Sequence, residues 1–157
     1  MKISNGMSIK KSFIFIAIFI IIVTLLLIKG SHGSNKPIGY IKIGGQNIKI
    51  ELAITPAEQE RGLSGKTELK ENESMLFVFD HPDKHYFWMK DMNFPIDIIW
   101  LNDNGEILYI EKDAWPESYP KTFGPEMDSK YVLEVIAGFS EKNNLKVGDE
   151  VEFIYSN

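Results

Sequence analysis

The chain contains no cysteine. That absence excludes disulfide staples and thiol chemistry, and it excludes a lipoprotein anchor, because no Cys follows the N-terminal apolar run. A basic excess is missing too. Lys2, Lys10, Lys11 and Lys29 precede the globular part, whereas all 22 acidic residues lie within it. From Ser31 onward, 13 basic residues therefore face 22 acidic ones, a net charge of −9 with His neutral. A charge of that sign argues against nucleic acid and against electrostatic attachment to anionic lipid. The sequence also lacks internal repeats, βαβ alternation, a nucleophile elbow, a P-loop and a zinc-protease helix. No catalytic residue and no cofactor is assigned from it.

What is present begins with one long hydrophobic run, residues 13–28, broken only by Thr24. At ~1.5 Å per residue it spans roughly 24 Å, somewhat short of a ~30 Å hydrocarbon core. Residues 1–30 are read as an N-terminal transmembrane signal anchor, with a cleaved signal peptide as the alternative. Residues 31–37 form a polar tether and 38–157 a single domain. The lysines ahead of the run keep the N-terminus cytoplasmic and place the domain outside the cytoplasm, secreted if the leader is cut. The cytoplasmic membrane is then its first partner.

Within the domain, residues 40–43 and 47–54 alternate around Gly44-Gly45 and read as a hairpin. Thr55-Pro56-Ala57-Glu58 supplies an N-cap, a first-turn proline and a capping-box glutamate for a short helix ended at Gly62. Residues 75–79 are a continuous apolar run, read as a strand buried on both faces, and His81-Pro82-Asp83 breaks it. Strands follow over 86–89, 96–101, 106–111, 131–136 and 150–155, with a turn at Asn102-Asp103-Asn104-Gly105 and one helical turn over 141–144. The loop 114–125 has no periodicity. The expected fold is mostly β, one antiparallel sandwich or barrel of jelly-roll type with one short helix.

Six ordered blocks carry a family resemblance: Arg61-Gly62-Leu63, Met75-Leu76-Phe77-Val78-Phe79, Trp88-Met89-Lys90, Pro95-Ile96-Asp97-Ile98-Ile99, Tyr131-Val132-Leu133-Glu134 with Ala137-Gly138, and Gly148-Asp149. The chain resembles the DUF192 family, small and mostly exported prokaryotic domains of unknown function, over residues 40–154. The resemblance implies a compact β domain of barrel or jelly-roll type behind a signal or anchor, and no established reaction. Ser64 departs from it, standing where the family commonly carries a larger residue, often Met.

Asp97 is the sharpest candidate, because alternation sets this acid among Ile99 and Leu101, where an ionised carboxylate is costly unless paired or hydrogen-bonded. Either it accepts bonds from backbone N–H groups or from Arg61, or it lines a pocket. Trp88, Lys90 and Asn93 resemble a binding platform, since flat aromatic area is recruited to such surfaces, although Trp88 also suits a core. Asp113 and Glu134 add carboxyl groups at strand ends. The leading expectation is an accessory module binding a small envelope ligand, a glycan or peptide, through Arg61, Trp88, Lys90, Asn93, Asp97, Asp113 and Glu134. The second is a hydrolase of envelope polymers that pairs Asp97 with Glu134 or Asp113. The third is copper handling by His81, His85, Met89 and Met92, soft-metal ligands that also serve as ordinary core residues.

Overall fold

The Gly44-Gly45 turn has φ +56° and +77°, the pair of positive angles that a tight two-residue hairpin demands. It joins β1 (Gly39–Ile43) to β2 (Gln46–Ala53) in the expected antiparallel hairpin. The computed structural model describes residues 39–154 of the chain. The anchor expected over residues 1–30 and the tether over 31–37 lie outside them. Among the described residues no helix is long and apolar enough to cross a membrane.

After β2 the chain enters α1 (Pro56–Arg61) through a complete capping box: Thr55 Oγ1 accepts from the Glu58 N–H, and Glu58 Oε2 accepts from the Thr55 N–H. A loop then carries it back to β3 (Glu73–Asp83), which runs parallel to β2. The antiparallel expectation fails here. A parallel pair needs a crossover of a dozen or more residues, and the helix with its loop is that crossover, a βαβ unit that the sequence pattern did not disclose.

The remaining elements are β4 (Phe87–Trp88), β5 (Ile96–Leu101), β6 (Ile107–Ala114), a 3₁₀ turn (Pro116–Ser118), β7 (Thr122–Phe123), β8 (Ser129–Ile136), α2 (Phe139–Lys142) and β9 (Glu152–Ile154). Seven strands form one mixed sheet in the order β6-β5-β8-β3-β2-β1-β9, and β4 pairs with β7 in a separate two-stranded sheet. Thus the segment without periodicity, 114–125, supplies a 3₁₀ turn and a strand. The sheet curls until the starts of its two edges touch, through an isolated bridge between Glu106 and Glu150 and a bond from the Ile107 N–H to the Asp149 carbonyl, 2.9 Å. It does not close into a barrel, because β6 and β9 share no ladder beyond that contact. Nor is it a sandwich of two full sheets.

Both faces of the sheet are covered, so β5 is buried at all six positions. One face packs Ile41, Ile43, Ile48, Ile50, Leu76, Ile99, Leu101, Leu133 and Val135, closed by Phe139 of α2 and by Leu145. The other packs Met75, Phe77, Ile96, Ile98, Trp100 and Val132 beneath Leu63, Leu69, Met89, Phe94 and Phe123. Each such side chain stabilises the fold by about 1.5–3 kcal/mol through transfer from water. The second face carries the site.

Candidate functional site

Period-2 alternation along β8 sends Leu133 and Val135 to the first face, and Val132 and Glu134 to the second. Glu134 stands across from Met75 on β3 and Ile98 on β5. It is a carboxyl group in an apolar setting, only 4% exposed. Its Oε2 has no hydrogen-bond partner. Burial alone drives its pKa up, from 4.5 to about 8, because desolvation penalises the charged form.

Above Glu134 lies a cavity of about 250 Å³. Three pieces of chain wall it: the end of α1 with the turn after it (59–64), the strand β3 at Phe77 and Phe79, and the arm 84–92. The turn approaches closely because of Gly62. With φ +50° and ψ −134°, that residue occupies backbone space closed to side-chain-bearing residues. A Cβ there would stand 3.3 Å from the Phe77 ring and 4.0 Å from Glu134 Oε2. The arm is pinned by the Trp100 indole N–H, which donates to the His85 carbonyl at 2.8 Å. It is pinned again by Ser64 Oγ, which donates to the Lys90 carbonyl at 2.9 Å. The serine that departs from the family pattern makes a bond that a methionine cannot.

His85 stacks on Phe79 with ring centroids 3.4 Å apart and planes 11° apart. Its Nε2 is buried and without a partner, like Glu134 Oε2. Burial lowers its pKa, against a smaller opposing pull from Asp83, and so favours the neutral ring. At the rim, Glu126 accepts from the Tyr86 hydroxyl at 2.8 Å and from Lys84 Nζ at 3.1 Å. Those bonds hold the Glu126 carboxyl below its usual range and raise the Lys84 and Tyr86 values. Trp88, 47% exposed, makes an edge contact with Tyr119, and Lys90 Nζ stands 5.8 Å from its ring centre.

Of the residues singled out by sequence, Arg61, Trp88 and Glu134 come together around this cavity. Lys90 reaches it only through Trp88. Asn93 is turned aside, its Nδ2 donating to the Lys66 carbonyl at 2.8 Å. Asp97 is on the opposite face of the sheet and fully buried. Its Oδ1 accepts from the N–H groups of Asp113 (3.0 Å) and Gly138 (3.2 Å), and its Oδ2 from that of Ser140 (2.8 Å). That acid ties the end of β6 and the start of α2 to β5. Asp113 takes part through its backbone, held at φ +52°, with its side chain exposed. A pair made of Asp97 and Glu134 therefore does not converge on one substrate. Of the soft-metal candidates, His85 and Met92 line the cavity, Met89 is sealed in the core and His81 is exposed elsewhere. Among the described residues no group of three His, Cys, Asp or Glu is placed to hold a metal ion.

Phe77, Phe79, Tyr86 and Phe87 are cavity residues that spacing did not single out. Alternation put Phe77 and Phe79 on one face of β3, but only the folded crossover shows that this face meets α1.

The profile of the DUF192 family, described as "Uncharacterized ACR", matches residues 39–153. The chain belongs to this family. No curated protein matches it. This DUF192 domain is similar to a crystal structure from Sinorhizobium meliloti 1021, described as a proposed transcription regulator, with 28% identity and a TM-score of 0.67 over 74% of this chain and 91% of that one. It is also similar to a protein of unknown function from Novosphingobium aromaticivorans DSM 12444, with 31% identity and a TM-score of 0.68 over 77% and 89%.

Proposed function

We propose that the domain is an accessory binding module that takes a small envelope ligand into the cavity above Glu134, on the outer side of the cytoplasmic membrane. One observation carries the reading. A buried carboxyl oxygen without a partner lies at the base of an aromatic-walled cavity that half-exposed Tyr86 and Trp88 open to the surface. An unmet polar atom of this kind costs about 1–3 kcal/mol, and a ligand that satisfies it recovers that cost. Ligand sites share this composition, mostly apolar walls with a few convergent polar groups. Trp88 at the rim supplies an orienting contact, and Arg61 stands beside it. The membrane side follows from the leader and its lysines.

The test is native mass spectrometry on the full-length chain, released from the membrane fraction without added ligand. A reproducible extra mass of a small organic molecule is expected, lost on Trp88→Ala while the thermal midpoint holds. A bare protein mass that also gains nothing from an envelope extract would sink the reading.

A further inference from the structure

We infer that the cavity above Glu134 receives an organic cation bearing N–H donors, a primary ammonium, amidinium or guanidinium group on a small apolar body. The inference rests on the binding-module reading above and names its ligand class.

The argument starts from two orphaned atoms. Glu134 Oε2 and His85 Nε2 are both buried, both lack a partner, and both belong to residues that line one cavity. The His81 backbone favours the protonated form of the His85 ring, against the stronger effect of burial. A neutral imidazole that carries its proton on Nδ1 presents Nε2 to the cavity as an acceptor. Glu134, once ionised, is an acceptor as well. Two acceptors call for a group with at least two N–H donors. Phe79, Phe87 and Trp88 line the same cavity and supply the aromatic surroundings that favour a positive charge.

The charges around Glu134 leave that choice open to the floor. Glu60 and Arg61 adjoin at the rim with opposite signs, and Lys84 is engaged by Glu126. Met75, Phe77, Ile98 and Gly62 approach Glu134 from β3, β5 and the turn after α1, and none is charged. Tyr86 and His85 are the remaining titratable neighbours in the cavity. The −9 of the exported part favours the approach of a cation.

In the empty cavity at neutral pH, Glu134 is protonated. An entering cation stabilises its carboxylate, the carboxyl O–H breaks and the proton leaves to water. Binding therefore releases a proton near pH 7, and releases less as pH rises past the point where the empty site is already ionised.

The experiment uses the full-length chain in neutral detergent with methyl-labelled methionine, titrated with benzylamine, benzamidine, benzyltrimethylammonium, benzyl alcohol and benzoate. Met92 lines the cavity, and its methyl resonance reports occupancy by any of them. Calorimetry in two buffers of different ionisation enthalpy counts protons. Benzylamine and benzamidine are expected to bind at least tenfold more tightly than the other three. Benzamidine should release close to one proton at pH 7 and almost none well above pH 8. Glu134→Gln should abolish that release and weaken benzamidine at least tenfold, with benzyl alcohol unchanged at Met92. Tightest binding by benzoate, benzyl alcohol or the quaternary cation overturns the inference and leaves the module reading standing, as does benzamidine binding without proton release. No shift at Met92 with any probe overturns both.

Discussion

Asp97 on β5 pairs with Val135 on β8, while Glu134, one step along β8, pairs with Ile98, so the two carboxyl groups enter opposite faces of one sheet. Both are buried. Asp97 meets three backbone N–H groups within 3.2 Å, and the Oε2 of Glu134 meets none. Backbone N–H groups satisfy the first carboxyl, whereas the apolar surroundings of the second disfavour its charged form. The first clasps three backbone segments together, and the second lies unpaired at the base of the cavity.

Asp97→Asn should therefore cost stability and leave the cavity intact. The amide nitrogen would face a backbone N–H in place of an acceptor, breaking at least one charge-assisted bond and leaving that donor unmet. A loss of about 2–4 kcal/mol is expected, read as a lowered urea midpoint with an unchanged slope. A stability within 0.5 kcal/mol (roughly the scatter of surface substitutions) would show that Asp97 is not the clasp.

Glu134 gives stability a pH dependence of opposite sign to that of a paired acid. Below pH 4.5 it is protonated in both the folded and unfolded chain, and its burial carries no charge penalty. As pH rises, the unfolded chain loses its proton first, so the unfolded state binds fewer protons and stability falls. The fall ends near pH 8, where the folded group ionises too. A displacement from 4.5 to about 8 corresponds to on the order of 5 kcal/mol at most. Relative to Glu134→Gln, the parent chain should lose about 10 °C or more in thermal midpoint between pH 5 and pH 9. Parallel curves for the two proteins would mean that the carboxyl is hydrated in solution.

Gly62→Ala tests the close approach of the turn after α1. Its φ of +50° with ψ −134° strains any side-chain-bearing residue, at about 1–3 kcal/mol. The new methyl would also press on Phe77, 3.3 Å away. Both a lower midpoint and weaker ligand uptake are expected. Wild-type uptake by a folded Gly62→Ala protein would argue that this turn is not a cavity wall.

For the membrane arrangement, protease added to spheroplasts should digest the domain while leaving a cytoplasmic control intact, and the undigested chain should sediment with membranes. Protection of the domain until the cells are lysed would place it on the inner side.

Local chemistry made several elements legible. The Gly44-Gly45 hairpin, the Thr55-Pro56-Glu58 helix start and the strand at residues 75–79 depend on residues close in sequence, and each formed there, although Val78 and Phe79 are only half-buried and β3 runs on through His81-Pro82-Asp83, where a break was expected. The family blocks are legible for the same reason, since each is a short contiguous pattern. Alternation likewise put Asp97 on the face of Ile99 and Leu101, where the structure has it.

Partners distant in sequence were not legible. The Asp97 carboxylate draws its donors from Asp113, Gly138 and Ser140, and no local pattern reveals that set. Trp115 and the loop around it hide β7, because a two-residue strand has no period to detect. The parallel pairing of β2 with β3 depends on how the crossover 54–72 packs, and the same strands could have paired otherwise. Sequence by itself determined the acidic charge, the absence of thiol chemistry and the β-rich class, because these follow from composition and from interactions within a few residues. Tertiary structure alone decided that Glu134 would be stranded beneath Phe77, Phe79, His85 and Trp88. A carboxyl group's surroundings are set by which surfaces the sheet and its cover bring together, and that choice is made by the whole core.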